Sequence, residues 1–295
     1  MFTLTTIQKI GLARLACSCV LFFRNMRGLS SRVILTRGGL RWNLDLTEGI
    51  DFSIYLLGGF EPRTLKLYKK IVQPGDTVLD IGANIGSHTL PLARLVGENG
   101  RVLAFEPTSF AFDKLNANIS LNKDIGDRIV VRQVMLVTDE HDHIDPEIYS
   151  SWPLFENGME LHEKHRGQLM DTTGAAAFTL DRVLQDMQVA RVNFVKIDVD
   201  GHEYTVFAGG KHTLEENRPL ILMELAPYLF EQKPDEFNRL IALFHDLDYI
   251  ALEVNTWKEL PLDTVLLKKM IPVGGSRNIL LQPRENITKP VIPGE

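Results

Sequence analysis

The chain has 295 residues, of which 44% are hydrophobic and 24% are charged, the proportions of an ordinary folded globular protein. These values exclude a disordered chain, a collagen and a multi-span membrane protein, and the length suits one large α/β domain with appendages or two small domains. The 32 basic and 38 acidic side chains give a net charge of −6. Without a long Lys/Arg run, this charge disfavours a nucleic-acid ligand.

The two cysteines, Cys17 and Cys19, are too few for a disulfide framework or a four-thiolate zinc site. The fold must therefore rest on its apolar core. This cysteine usage fits a reducing compartment, and we expect a cytoplasmic protein.

An apolar run at residues 15–23 near the N-terminus is flanked by Lys9, Arg14, Arg24 and Arg27. It is shorter than the roughly 20 apolar residues that a membrane span requires, and no small-residue cleavage site follows it. Three interpretations stay open: a helix packed on the domain or on a partner, an interfacial membrane helix, and a signal peptide. The first is the simplest, and the second would give peripheral membrane contact.

The next segment predicts a hairpin and a helix ahead of the main domain. Residues 32–46 show apolar residues at every second position around a Gly38-Gly39 turn, which is typical of a hairpin. Helical spacing follows at residues 63–72. The predicted organisation is an N-terminal extension at 1–30, a hairpin and helix covering the cleft at 31–75, a main domain at 76–282 and a tail at 283–295.

From residue 77 onward, short apolar runs alternate with longer amphipathic stretches, which predicts parallel βαβ units. The predicted strands are 78–81, 102–105, 129–137, 192–197 and 220–223, and the first two predicted helices are 88–96 and 110–121.

Residues 139–173 interrupt this alternation and predict an insertion or lid, the natural place for substrate selection. The insertion contains His141, His143, His162 and His165, but their spacing is not that of a metal site. We therefore expect a solvated loop without a metal.

The strongest local motif is the apolar strand at 78–81 that runs into a turn containing Gly82 and Gly86 and then into a helix. In doubly wound sheets, nucleotide-like ligands bind at such a strand-to-helix turn. A dinucleotide-binding G-x-G-x-x-G pattern would need glycines at the positions held by Asp80 and Ile85. The motif therefore indicates a ligand other than a dinucleotide.

Glu106 ends the next predicted strand and is followed by Pro107. An acid at this position can accept hydrogen bonds from the hydroxyls of an adenosine ribose. Asp80, at the end of the neighbouring strand, is expected to add negative potential near the cationic centre of the ligand.

These motifs resemble the S-adenosylmethionine site of class I methyltransferases in its FkbM-type variant. The matching segments are 80–86 with 106–107, a second signature at 195–203 followed by 208–210 and 219–224, and shorter matches at 57–61 and 116–122. The resemblance covers roughly residues 40–282. It accounts neither for the N-terminal extension nor for the insertion.

The resemblance implies an α/β fold with a Rossmann-like, mostly parallel seven-stranded sheet, helices on both faces, and late strands at 249–254 and 277–281 forming an antiparallel edge. It also implies methyl transfer from S-adenosylmethionine to a hydroxyl of a sugar, glycolipid or related small molecule. The expected cofactor-binding residues are Glu61, Asp80, Gly82, Ala83, Asn84, Gly86 and Glu106. Near the same turn, Asn84, Ser87 and His88 either touch the ligand or cap the following helix.

A sugar hydroxyl is a poor nucleophile, so a base or a metal ion must help to remove its proton. If the strand stays extended, Asp198 and Asp200 project to one face, and Gly201 then allows a sharp turn into a helix begun by His202 and Glu203. The hypothesis is that His202 or Asp200 is the base and that Asp198 and Glu203 orient it.

Four alternatives stay open. Asp198, Asp200 and Glu224 could together hold a Mg²⁺-like ion, or Asp200 and Glu203 could simply cap the helix. The Asp-x-Asp pattern at 198–200 also fits a metal-dependent glycosyltransferase, and a catalytically silent binding protein could retain the fold. Neither the acceptor nor the oligomeric state follows from the sequence.

Overall fold

The computed structural model describes residues 6–150, 153–155 and 167–285. In chain order, the helices are α1 (Thr6–Asn25), α2 (Gly49–Leu57), α3 (Pro62–Ile71), α4 (Thr89–Leu95), α5 (Ser109–Ser120), α6 (Lys123–Gly126), α7 (Leu180–Asp186), α8 (Glu203–Ala208), α9 (Lys211–Asn217), α10 (Pro234–Asp246) and α11 (Thr264–Met270), with a 3-10 turn at Pro227–Phe230. The strands are β1 (Arg32–Arg37), β2 (Leu40–Asp45), β3 (Thr77–Ile81), β4 (Arg101–Phe105), β5 (Ile129–Arg132), β6 (Val134–Leu136), β7 (Glu147–Ser150), β8 (Gln168–Asp171), β9 (Ala176–Phe178), β10 (Phe194–Ile197), β11 (Leu220–Leu225), β12 (Tyr249–Glu253), β13 (Glu259–Leu260) and β14 (Arg277–Pro283).

The central sheet has the strand order β13-β12-β14-β11-β10-β3-β4-β5. Neighbouring strands from β11 to β5 are parallel, whereas β14 runs antiparallel to β11 and β12. The chain winds outward from β3 in one direction and returns to β10 on its other side, so the order reverses between these two strands. In open α/β sheets, ligands bind at such a reversal, beyond the carboxyl ends of the strands.

The sheet confirms the predicted α/β class, including the late antiparallel strands, and differs in two details. It has an eighth strand, β13, whose two residues are too few to produce a sequence pattern. The predicted strand at 129–137 is two strands, because the chain leaves the main sheet after β5, and β6 pairs with β9 instead.

The central strands are apolar because both faces of the sheet are covered. Side-chain alternation divides each strand between two layers. Leu79 and Ile81 of β3 belong to one hydrophobic cluster, whereas Val78 belongs to the other, together with Phe194 of β10. Asp80 and Lys196 occupy the second face and are direct partners in the β3–β10 register.

The N-terminal elements cover that second face. The predicted hairpin is present as β1 and β2, and Trp42 on β2 and Tyr68 on α3 are buried in the same cluster as Val78. These elements bring residues from before β3 across the sheet and close to the ends of β10 and β11.

The described part of the insertion forms a small antiparallel pair, β7 with β8, and Pro153 makes an isolated bridge with Glu48. His162 and His165 lie outside the described residues, as does most of the predicted tail. Among the helices that the structure describes, none is long and apolar enough to cross a membrane.

Candidate active site

A cavity of about 360 Å³ lies at the carboxyl ends of β3, β4 and β10, next to the reversal of strand order. The side chains that carry chemistry on its wall are Glu106, Asp145, Glu147, Tyr149, Asp198, Asp200 and His202. Apolar wall comes from Phe105, Val134, Met135, Leu136, Ile148 and Leu169. This mixture of apolar surface and a few convergent polar groups is typical of a small-molecule site.

Glu106 is buried in the cavity wall and held by three hydrogen bonds. Oε1 accepts from the backbone N–H of Thr108 at 2.9 Å and from its hydroxyl at 2.5 Å, and Oε2 accepts from the backbone N–H of Asn84 at 2.9 Å. Burial raises the pKa of Glu106, and these hydrogen bonds act against that shift. A carboxylate offers about four acceptor positions, so Oε2 retains one.

Gly82 joins the loop after β3 to the loop after β10. It has φ +75°, and a Cβ built on it would lie 2.0 Å from the carbonyl oxygen of Asp198. The backbone N–H groups of Gly82 and Ala83 both donate to the Phe105 carbonyl at 3.0 Å. Gly82 is therefore required by the approach of two backbones as well as being part of the cavity wall.

The other predicted residues of this turn lie behind the wall. Ala83 is buried, and a Cβ on Gly86 would lie 2.7 Å from Leu115 Cδ1. Asn84 has φ +48° and presents its N–H to Glu106. These residues shape the turn, and only Gly82 of the group lines the cavity.

Asp80 does not face the cavity either, which differs from the expectation that its charge lies beside the ligand. It is fully buried, and its Oδ2 accepts from the Thr89 hydroxyl at 2.6 Å while Oδ1 lies 3.5 Å from Lys196 Nζ. Burial raises the pKa of Asp80, and Lys196 and Thr89 act in the opposite direction. The physical reason for the difference is the alternation of β3, which turns Asp80 toward the covered face.

Lys196 is a central residue that the sequence analysis missed. Its Nζ donates to the Gly82 carbonyl at 3.1 Å and lies 4.0 Å from Asp198 Oδ2. Burial alone would lower the pKa of Lys196, but the carboxylates of Asp80 and Asp198 offset this and raise it. The sequence feature that could have identified it is a lysine inside an otherwise apolar strand.

A second, much smaller pocket lies on the far side of Asp198, and Glu61, His88, Lys196 and Glu224 line it. Glu61 precedes α3 with φ +47°, and its Oε2 accepts from the Thr64 hydroxyl at 2.9 Å. Burial and the Asp198 charge raise the pKa of Glu61. The same two causes raise the pKa of Glu224 to about 8.

His88 and Ser87 are both buried, but only His88 lines the second pocket. His88 is buried, its Nδ1 lies 3.0 Å from the Tyr68 hydroxyl, and burial lowers its pKa well below the usual range. Ser87 is buried and lines neither of these two cavities. His88 therefore packs as a neutral histidine beside the second pocket.

The loop after β10 corrects one predicted geometry. β10 ends at Ile197, so Asp198 and Asp200 do not project from an extended strand. Asp200 has φ +48° and Gly201 φ +93°, and this left-handed turn brings Asp198, Asp200 and His202 to the main cavity. We expected Asp198 and Asp200 to lie on one side together, and they do, but a turn rather than an extended strand brings them there.

Glu203 is the first residue of α8 and is buried, and its Oε1 accepts from the Gly201 N–H at 3.3 Å. Burial raises the pKa of Glu203 to about 7. Glu203 does not line the main cavity, so it supports the turn from behind.

His202 and Asp200 differ in the proton that each carries. His202 Nδ1 lies 3.1 Å from the Val199 carbonyl oxygen, which can only accept, so Nδ1 holds the hydrogen and Nε2 keeps its lone pair. Desolvation lowers the pKa of His202, which favours the neutral imidazole. Desolvation and the charges of Asp198 and Glu203 raise the pKa of Asp200 to about 8. At neutral pH, His202 is able to accept a proton and Asp200 already carries one.

The Mg²⁺ alternative receives no support from the described ranges, where no group of three or more His, Cys, Asp or Glu side chains is arranged to hold a metal ion. Asp200 lines the main cavity and Glu224 the second pocket, with Asp198 between them.

The sheet order, the cavity at the strand reversal and the acid at the end of β4 define a Rossmann-like α/β protein of the class I methyltransferase type. Residues 80–251, more than half of the chain, match the family model described as "Methyltransferase FkbM domain". The chain belongs to this family of methyltransferases, whose cofactor is S-adenosylmethionine. The match leaves the glycosyltransferase alternative without support.

The chain is similar to the hexuronic acid methyltransferase AglP of Haloferax volcanii, with 26% identity over 155 residues. The aligned region covers 52% of this chain and 58% of the relative. Among solved structures, it is similar to the methyltransferase FkbM of Methylobacillus flagellatus KT, with 14% identity, a TM-score of 0.42 and coverage of 74% of this chain and 50% of that one. It is also similar to the O-methyltransferase of Bacillus cereus, with 16% identity, a TM-score of 0.44 and coverage of 75% and 80%.

Proposed function

We propose that this methyltransferase transfers the methyl group of S-adenosylmethionine to a hydroxyl of a sugar, glycolipid or related small-molecule acceptor. One observation carries the proposal: the wall of a single cavity holds a carboxylate with a free acceptor position, Glu106, and a neutral imidazole with a free lone pair, His202. The carboxylate can accept a hydrogen bond from the ribose of the cofactor, and the imidazole can accept the hydroxyl proton of the methyl acceptor.

The residues at the Glu106 end fit a nucleoside. Oε2 of Glu106 has one acceptor position left for a ribose hydroxyl. Met135 and Leu136 supply apolar surface nearby on which an aromatic base can pack. Gly82, which lines the same cavity, presents backbone without a side chain to the rest of the cofactor.

S-adenosylmethionine supplies a methyl group on a cationic sulfur, and the chain must bring an acceptor oxygen into line with it. In our proposal, His202 Nε2 takes the hydroxyl proton as the oxygen–carbon bond forms and the carbon–sulfur bond breaks, which would leave the sulfur as a neutral thioether. The Nδ1–H bond to Val199 keeps the ring oriented. The charges of Asp145 and Glu236 favour the imidazolium that results, and Asp145 lines the same cavity.

The carbohydrate acceptor is the finer part of the proposal. It is supported by the similarity to a hexuronic acid methyltransferase. The described part of the insertion contributes Tyr149 and Leu169 to the cavity wall, so this segment is placed to influence which molecules enter.

The cofactor half is tested by calorimetric titration with S-adenosylmethionine and, separately, with NAD and a sugar nucleotide. We expect saturable binding of S-adenosylmethionine alone, weakened roughly 10- to 100-fold in Glu106→Ala, because a hydrogen bond to a charged group contributes about 1.5–3 kcal/mol. The matched control is Glu98→Ala, an exposed glutamate that does not line the cavity, which should bind like the wild type. If Glu106→Ala binds S-adenosylmethionine as tightly as the wild type does, the assignment of Glu106 to the cofactor is wrong.

The acceptor half is tested by incubating the protein and S-adenosylmethionine with uronic acids, neutral sugars and glycolipids, and searching for methylated products by mass spectrometry. A methyl ether on a hydroxyl supports the proposal. A methyl ester on a carboxylate would show that the acceptor atom is wrong, and binding without turnover on any acceptor would favour the silent alternative.

A further inference from the structure

The N-terminal helix α1 is apolar on two opposite sides, and only one of them is covered by the domain. The inner side chains, which pack against the hydrophobic cluster behind the sheet, are Ala13, Ala16, Cys17, Val20 and Leu21. Cys17 is fully buried, and its Sγ donates to the Leu46 carbonyl at 3.0 Å. The helix is therefore docked on the domain, in agreement with the first interpretation of the sequence.

The outer side is open to solvent. Its large apolar side chains, with their exposed fractions, are Leu12 (56%), Leu15 (65%), Phe22 (62%), Phe23 (58%) and, just after the helix, Met26 (71%). At 3.6 residues per turn, these five positions fall within an arc of about 100°. We call them the outer α1 surface. A cluster of large apolar side chains exposed on one surface marks a site of contact with a protein or a membrane, so this surface calls for a second apolar partner.

The charge of the N-terminal segment that carries this surface indicates which partner. Residues 1–44 contain seven basic side chains and no acidic one, whereas residues 45–295 contain 25 basic and 38 acidic. Four of the seven, Arg27, Arg32, Arg37 and Arg41, are exposed in the structure. Arg24 donates to the Ser30 carbonyl, so the basic segment after the helix turns back beside its end.

We infer that the outer α1 surface lies in the interface of an anionic lipid bilayer, with the apolar side chains among the lipid chains and the arginines at the headgroups. Exposed apolar side chains next to basic residues are the pattern of interfacial helices. The remaining domain, with its net negative charge, would be repelled by the same bilayer and would point away from it.

A second copy of the chain is a less suitable occupant. Two outer α1 surfaces facing each other would bring together two segments that each contain seven basic residues and no acidic one. An anionic bilayer offers the complementary charge and the apolar layer at once.

The test is flotation of the full chain with vesicles of phosphatidylcholine alone and of phosphatidylcholine mixed with phosphatidylglycerol. We expect flotation with the mixed vesicles only, and less of it as salt is raised, because the electrostatic attraction is screened. Phe22→Ser with Phe23→Ser should abolish it. The matched control, Val265→Ser with Leu266→Ser, changes an adjacent exposed apolar pair on α11 and should float like the wild type.

A second pair of variants isolates the charge. Arg27→Ala with Arg32→Ala should weaken partition about 30-fold, at roughly 1 kcal/mol for each basic residue near an anionic surface. Lys268→Ala with Lys269→Ala removes two exposed charges from α11 and should have no effect. Thermal unfolding and S-adenosylmethionine titration verify that each variant is folded.

Three results would overturn the inference. One is no flotation with either vesicle, and another is equal flotation with both. The third is a wild type that does not float and that forms a dimer in light scattering. If Phe22→Ser with Phe23→Ser dissociates this dimer, the surface belongs to a contact with a second copy.

Discussion

The loop after β3 and the loop after β10 lie side by side at the same edge of the sheet, yet they contribute to the site in different ways. Gly82 and its neighbours are held by backbone hydrogen bonds to β4 and by a contact too close for any side chain. The β10 loop instead presents Asp200 and His202, whose protonation the surroundings control. One loop provides shape, the other provides titratable groups, and each is tested by a different kind of substitution.

Lys196 connects the two loops, so its replacement should have the largest effect. Lys196→Met leaves the buried carboxylate of Asp80 without its cation, and breaking a buried pair in this way costs about 3–5 kcal/mol. We expect the free energy of unfolding, measured with urea, to fall by that amount and cofactor binding to be lost.

The control is the double variant Lys196→Met with Asp80→Asn. It removes the unpaired charge and should recover part of the stability. If Lys196→Met alone unfolds like the wild type, the pairing does not stabilise the fold.

Gly82→Ala comes next, because it tests the shape of the β3 loop. The new Cβ would meet the Asp198 carbonyl oxygen at 2.0 Å while the residue keeps a positive φ. Overpacking and left-handed strain together predict a loss of about 3 kcal/mol in unfolding free energy and loss of S-adenosylmethionine binding.

Gly75→Ala separates the two causes. Gly75 has φ +95° with open space around its Cβ position, so this variant suffers the strain without the clash. Equal losses in the two variants would show that the approach of the two loops is unimportant.

The same contrast explains what could be predicted from the sequence. Strands β3, β4 and β10 were predictable because a strand buried on both faces is a nearly continuous apolar run. The positions of Gly82 and Glu106 at the edge of the sheet were predictable because a turn and a proline mark the ends of two of these strands.

Features that depend on register or on loop conformation were not predictable. The pairing of Asp80 with Lys196 requires knowing that β3 and β10 are neighbours in that register. The left-handed backbone of Asp200 is set by the turn through Gly201, and no periodicity reports it. The sequence does not show which side of α1 the domain covers, because both sides are apolar and tertiary packing decides between them.

His202→Gln tests the proposed proton acceptor of the β10 loop. General-base catalysis contributes about 10²- to 10⁴-fold, so kcat should fall by that factor while S-adenosylmethionine binding is retained. In the wild type, kcat should fall as the pH drops through the lowered pKa of His202, because the imidazolium has no lone pair to accept a proton. A variant that keeps full kcat, or that keeps the same acid limb, would exclude His202 as the base.

Asp200→Asn should have the smallest effect, and it distinguishes Asp200 from His202. Desolvation and the neighbouring Asp198 and Glu203 carboxylates raise the pKa of Asp200 to about 8, so at pH 7 the wild-type side chain is mostly protonated and uncharged. Asparagine is a neutral side chain of the same size, and kcat at pH 7 should therefore change by no more than about threefold. Above pH 8 the wild type acquires a charge that the variant lacks, so the two pH profiles should separate there. A loss of 10²-fold or more at pH 7 would show that Asp200 acts as a carboxylate, and the β10 loop would then use its acid rather than its imidazole to accept the proton.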